Sequence, residues 1–277
     1  MTDSLAMGLC YGSLGPTTAP ELAALAGNHG FNTIMLPVLP DPGPNAEEPF
    51  AAVLERYGIQ RVVLDGAMGM LPRCGFATAH GMTAEQHLDV ARRFGVTCFN
   101  VPHYQGDPET PLVEFVDALG PFCEQAALLG CTVALEFLPG TGMPDLERVV
   151  RIIEAVDADN LGMTFDIWHW ARLGGSLADI EALPAGIIRE FQINDRDADQ
   201  DQLPDSAQWG RRIPGEGALP LASIVRAVQA NAPGLPPNAE VFCHNLQALP
   251  PAEAARRIAT GLRGVLSALG SSPQTAV

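Results

Sequence analysis

No run of apolar residues in this chain approaches the roughly 18 needed to span a bilayer, and the opening stretch MTDSLAMGLC has no basic residue of the kind that begins a secretory signal. A chain with no membrane partner and a cytoplasmic location is expected. Cysteine is sparse and scattered. Cys10, Cys74, Cys98, Cys123, Cys131 and Cys243 form no C-x-x-C pair, which argues against a disulfide framework or a zinc knuckle and leaves small core thiols. Basic residues are also few. Sixteen Lys and Arg against 32 Asp and Glu give a formal charge of -16, and such a surface repels phosphate backbones, so no nucleic-acid partner is expected. Neither G-x-x-x-x-G-K-[ST] nor a G-x-G-x-x-G following a strand is present, which disfavours P-loop and dinucleotide-binding enzymes.

What is present is the composition of a folded core, with 47% hydrophobic and 17% charged residues. The 277 residues are close to the roughly 250 of a (β/α)₈ barrel. The apolar stretch 5–12 is stopped by Gly12, Gly15 and Pro16, as a first strand would be, and Thr18 with Pro20 then opens a helix. Strand-like segments follow at 31–36, at IQRVVLD ending in Asp65, and at VTCFNVP with Asn100 near its end. A helix is expected at 46–57, and Thr83-x-x-Gln86 is a capping box for another. The Gly- and Met-rich stretch 66–82 is too long for a minimal connection and reads either as a ligand-touching loop or as a plain surface loop. Helices at 111–129, 144–156, 176–183, 219–230 and 251–269 alternate with further strands. About eight strand–helix units spaced by roughly 35 residues favour a single TIM barrel over residues 1–270, followed by a disordered tail at 271–277.

The last four strands carry the chemistry. LGMTFDIWHWAR alternates apolar Leu161, Met163 and Phe165 with Gly162, Thr164 and Asp166, so the carboxylate ends a strand face opposite the greasy one. ALEF, FQIND and AEVF place Glu136, Gln192 and Glu240 at similar parity. In a barrel these ends share one rim, where three carboxylates cannot all stay ionised in a low dielectric without a cation. An all-oxygen donor set favours one divalent metal ion, Mg²⁺ or Mn²⁺ with Co²⁺ as a substitute, over zinc. The alternative is four solvated strand ends or helix caps.

ALEF, FDIWH, the strand ending in NDRD, R-R-x-P-G-E-G and AEVF, in this order, resemble the sugar phosphate isomerase/epimerase family of xylose isomerase-like barrels. The resemblance extends over nearly the whole chain after residue 5. It implies one metal held by Glu136, Asp166 and Glu240, which polarises a substrate carbonyl while acids and bases move protons. Gln192 stands where many members have histidine; dehydratases of the 3-dehydroshikimate type are similar in having Gln there. Glu136 and Glu240 are candidate base and acid. His169 is a candidate proton carrier or substrate contact, or else a helix cap. Arg212, matching the family arginine, is a candidate for a carboxylate or phosphate, with Arg211 its neighbour and a solvated salt bridge the plain alternative. Trp168 and Trp170 can wall a sugar pocket or simply pack, His103 and His244 can reach the mouth or pack, and Asn194 and Asp195 are candidates to orient Gln192.

These residues imply an isomerase or epimerase of a small keto-sugar or polyol-like substrate, with a homo-oligomer compatible. A dehydratase of a cyclic hydroxyketone such as 3-dehydroshikimate or an inosose is the alternative, and a catalytically silent ligand-binding barrel a third. Endonuclease IV shares the barrel type, but six histidines and an acidic surface fit its multi-zinc, DNA-facing site poorly.

Overall fold

The computed structural model describes residues 6–45, 47–198 and 209–269. Eight parallel strands close in sequence order into one barrel: β1 (Gly8–Cys10), β2 (Thr33–Leu36), β3 (Arg61–Leu64), β4 (Cys98–Pro102), β5 (Thr132–Glu136), β6 (Leu161–Asp166), β7 (Ile188–Ile193) and β8 (Asn238–Ala239). The single (β/α)₈ barrel expected from the alternation is the fold found. The expected tail at 271–277 lies outside the described residues. Among the described residues no helix is long and apolar enough to cross a membrane.

Helix ends follow their local chemistry. Thr18 and Thr83 each accept the N3 backbone N–H while Glu21 and Gln86 reach back to the cap, forming two reciprocal boxes. Gly58 and Gly95 stop their helices with φ of 68° and 64°, a conformation glycine adopts without steric cost. The second helix covers Phe50–Tyr57, shorter than the expected 46–57, because Pro49 stands at its cap position. Three short helices escaped the periodicity altogether: Gly75–Ala79, Ile167–Arg172 and His244–Gln247. Each spans too few residues to display a 3.6-residue repeat.

Strand alternation divides the core into two compartments. Leu9, Ile34, Leu64, Phe99, Val133 and Phe165 face outward into the large cluster shared with the helices. Cys10, Met35, Val63, Cys98 and Ala134 form a separate apolar cluster inside the barrel. Also inside, one step below Gln192 on β7, Glu190 is fully buried. Its carboxylate meets Arg61 Nη2 at 2.7 Å and accepts from the Asn238 amide.

The 66–82 stretch is pinned rather than loose. Buried His87, on the helix Ala84–Phe94, accepts the Gly69 N–H at Nε2 (2.8 Å), and His103 Nε2 donates to the Pro72 carbonyl (2.8 Å). Burial lowers His87 from 6.5 to about 4. The unfolded chain therefore binds a proton near pH 6.5 that the folded chain refuses until about pH 4. Stability from this group is complete above pH 6.5 and is lost as pH falls through that window, by up to about 3 kcal/mol. Urea titrations between pH 7 and 4 should show a smaller loss of stability in His87→Gln than in the parent; equal slopes would contradict the assignment.

Candidate functional site

Glu136 ends β5, Asp166 ends β6, Gln192 is the penultimate residue of β7, and Glu240 follows directly after β8. Strand register sets Glu136 beside Thr164, Asp166 beside Gln192, and Gln192 beside Asn238. All four side chains selected from the sequence thus share the carboxyl-end rim, and each is at most 5% exposed. Asp65, just past β3, joins them at the mouth.

The rim is wired by neutral groups. Asn100 on β4 donates through Nδ2 to Asp65 Oδ1 (2.8 Å) and to Glu136 Oε2 (2.7 Å). Its own carbonyl accepts from the Thr164 hydroxyl at 2.6 Å, which fixes the amide orientation. Asp166 Oδ1 accepts the backbone N–H of Trp168 (2.8 Å) and the Asn194 amide (3.4 Å), so this carboxylate also caps the helix Ile167–Arg172. One turn on, His169 Nε2 lies 3.4 Å from Glu136 Oε1 and 3.3 Å from Asp166 Oδ2. Burial lowers His169 to about 4, with Arg211 and Arg172 adding to that and Asp166 opposing it, so the imidazole is neutral at pH 7.

The arginine of the mouth is Arg211. The segment before I-P-G-E-G is extended: Asp195 and Arg212 exchange backbone hydrogen bonds, and the Arg211 N–H donates to the Phe242 carbonyl. Alternate side chains of an extended segment point opposite ways. Arg211 turns in, 2% exposed, with Nη1 at 2.5 Å from Glu240 Oε2 and Nη2 at 3.3 Å from Asp166 Oδ2. Burial works against its cation, but Asp166, Glu240 and Glu136 outweigh that and hold it protonated. Arg212, which the motif alone favoured as the substrate-binding arginine, turns out and pairs with Asp197 at 2.6 Å.

Three other expectations change. His103 is fully buried, with Nε2 donating to Pro72 and Nδ1 accepting the Gly142 N–H (3.2 Å), so both ring nitrogens bind backbone and neither is open to a ligand. Trp168 packs behind Arg211, whose Cζ lies 5.5 Å from its ring centroid, and Trp170 belongs to the outer core; neither lines the mouth cavity. Asp195 does not orient Gln192. It accepts the N–H groups of Gly215 (3.1 Å), Gly217 (3.0 Å) and Leu219 (3.0 Å), which holds the P-G-E-G turn, while Asn194 serves Asp166. A Cβ on Gly217 would lie 2.4 Å from Asp195 Oδ1, so this glycine permits the close approach. His244 stacks on Trp209, ring centroids 4.0 Å apart at 8°.

Sequence reasoning did not single out Tyr11, Cys10, Trp209 or Phe242. Tyr11 is hydrogen-bonded to Asp65, and Trp209 and Phe242 line the cavity above the carboxylates. Alternation along β1 places Cys10 inside the barrel, and its thiol lies 3.8 Å from Glu240 Oε1. Burial, then Glu240 and Asp65, raises that thiol well above its usual value, so it stays protonated. Tyr11 opens a one-turn 3-10 helix, Tyr11–Ser13, and Trp209 and Phe242 lie in irregular segments, all too short for a periodicity to show.

Charge balance decides what the site can hold. Arg211 is one guanidinium facing Asp65, Glu136, Asp166 and Glu240. Burial raises Glu136 well above the usual carboxylate range, with Asp166 and Asp65 adding to it; Glu240 is likewise raised by burial despite Arg211. Gln192 Oε1 is buried with no hydrogen bond, and Asp166 Oδ2 has only the 3.3 Å approaches of Arg211 and His169. One guanidinium among four carboxylates and a buried Gln192 Oε1 without a donor fit a divalent cation; among the described residues the donor atoms of Glu136, Asp166 and His169 lie within 4.8 Å of one another, as do those of Cys10, Asp65 and Glu240.

A profile of xylose isomerase-like TIM barrels matches residues 23–264, and the chain belongs to that family. An inosose isomerase from Halalkalibacterium halodurans is 30% identical over 112 residues, which span 40% of this chain and 39% of the relative. Among solved structures, the IolI protein with a bound zinc atom superposes with a TM-score of 0.82 at 18% identity, over 96% of this chain and 100% of that one. The probable 3-DHS dehydratase AsbF of Bacillus anthracis gives 0.72 at 17% identity, over 93% and 98%. At these identities the structural likenesses speak for the fold.

Replacing Asp195 by Ala would strand four backbone donors, those of Arg196, Gly215, Gly217 and Leu219, and we expect a loss of about 2–3 kcal/mol in urea unfolding, with Asp195→Asn milder. Equal stability of Asp195→Ala and the parent would contradict this anchoring.

Proposed function

We propose that the chain is a divalent-metal-dependent isomerase or epimerase of a small keto-sugar or polyol-like substrate, working with Mn²⁺ or Mg²⁺ and accepting Co²⁺. The observation that carries the proposal is the placement of Glu136, Asp166, Gln192 and Glu240 at the carboxyl ends of β5 to β8, each at most 5% exposed, with Gln192 Oε1 lacking a donor. When bound there, the cation supplies a Lewis acid that makes a C–H bond beside a carbonyl easier to break. A relative bearing the name inosose isomerase supports this class of reaction.

The remaining steps belong to side chains. Glu136, held by Asn100 through Oε2, and Glu240, held by Arg211 through Oε2, both face the cavity and are the groups placed for proton work. One removes the proton and the other returns it, which inverts a stereocentre or moves a carbonyl. Neutral His169 offers Nε2 to a substrate hydroxyl, and Arg211 Nε, buried without a partner, offers a single donor to a substrate oxygen. The aromatic rim and the loop 66–82 limit water at the reacting carbon.

Dehydration of a cyclic hydroxyketone is a second reading favoured by one residue, Gln192, in the position where many epimerases are similar in carrying histidine. Loss of water begins with the same proton removal.

Mn²⁺ should raise the thermal midpoint of chelator-stripped protein by mass-action linkage. Gln192→Leu and Asp166→Asn should weaken that shift; an undiminished shift in both would remove these residues from the metal site. In D₂O with inosose as substrate, Glu240→Gln should lower C–H exchange at least about a hundredfold, with an unaltered far-UV spectrum. Solvent exchange without loss of water supports the isomerase, and loss of water the dehydratase. Full turnover by Glu240→Gln would exclude its proton role.

A further inference from the structure

We infer that the substrate of this mouth is uncharged, a polyhydroxy ketone bearing neither phosphate nor carboxylate. The inference rests on the proposed reaction and names the substrate class of the same site. It starts from a compositional fact: the chain has no lysine, and all 16 of its basic residues are arginine. None of the residues outside the described ones is basic.

The mouth cavity, about 380 Å³, is at the small end of ligand pockets, enough for one monosaccharide-sized molecule. Among its described lining residues Arg211 is the one arginine. Capture of a phosphate or carboxylate uses two parallel N–H donors of a guanidinium fork. Both terminal nitrogens of Arg211 already face carboxylates, Glu240 and Asp166. Its flat faces are covered as well, with Cζ at 5.5 Å from the Trp168 ring centroid and 4.8 Å from that of Phe242. Only Nε–H is left, a single donor suited to a neutral oxygen. The N-terminus of the helix Ile167–Arg172, another kind of anion site, is taken by Asp166 itself.

Electrostatics points the same way. Asp65, Glu136, Asp166 and Glu240 face one guanidinium, so an anion placed among them would meet acceptor oxygens and no cationic side chain left to pair with it. The walls are uncharged and aromatic: Tyr11, Phe76, Tyr104, Trp209 and Phe242. Trp209 is held flat against His244, and Phe76 meets Tyr104 edge-on at 5.2 Å. Rigid aromatic faces of this kind suit the C–H face of a hydroxylated ring, while the carboxylates and His169 beneath take its hydroxyls.

The test uses Mn²⁺-loaded full-length protein and two matched pairs: inosose against 3-dehydroshikimate, and D-fructose against D-fructose 6-phosphate. C–H exchange is read by NMR in D₂O and binding by calorimetry. The uncharged member of at least one pair should be favoured about tenfold or more in kcat/KM, or in Kd where no exchange occurs. Tyr104→Arg, which sets a cation on the wall, should move that preference toward the anionic member. Equal or tighter use of both anionic members, or no binding of any of the four, would overturn the inference. Binding of an uncharged member without exchange would sink the proposed reaction while upholding the charge selectivity. Exchange that favours the anionic members would do the reverse.

Discussion

The constraint on which this molecule turns is the burial of several carboxylates in one place with too little positive charge to balance them. Asp65, Glu136, Asp166 and Glu240 converge on the end of a closed barrel whose next interior layer is Cys10, Met35, Val63, Cys98 and Ala134. Water is largely excluded there, so each ionised group depends on its neighbours. Arg211 answers part of the charge and Asn100 ties two of the acids together without adding any. The unanswered part is what the proposed cation would balance.

Holding such a rim requires supports that do no chemistry themselves. Thr164 fixes the Asn100 amide, Asn194 and the Trp168 N–H fix Asp166, and Asp195 ties down the turn that follows Arg211. Below the apolar layer, the Arg61–Glu190 pair with Asn238 forms a second polar layer. Removing one partner of such a pair leaves a buried charge unmatched, which is far costlier than replacing both. The barrel is thus polar at two levels, with an apolar cluster between them.

The loops supply what the strands cannot. The 66–82 stretch contributes Met68 and Phe76 to the cavity wall, and His87 and His103 pin it from two sides. These histidines are buried and serve backbone atoms, which is why the histidine count of the chain overstates the number available for chemistry. His169 differs because its helix begins at the capping carboxylate Asp166, so one turn returns the imidazole to the rim.

Much of this was legible in the residues. Strand–helix alternation pointed to the barrel, and the parity of Glu136, Asp166, Gln192 and Glu240 along their strands pointed to the shared rim, because a two-residue period and a closed parallel sheet leave little freedom. Arg211 and Arg212 were indistinguishable in sequence, since which of two neighbours turns inward depends on how the segment pairs with Asp195 and Phe242. For His103 the sequence left packing and reaching the mouth both open, and for Asp195 it pointed to Gln192; their roles are fixed by backbone atoms 20 to 39 residues away, in Pro72, Gly142 and the turn from Gly215 to Leu219. Local periodicity determined the fold and the side of each strand. Tertiary structure decided the loop contacts and the pairing of charges, because those depend on distances between segments that only the closed barrel brings together.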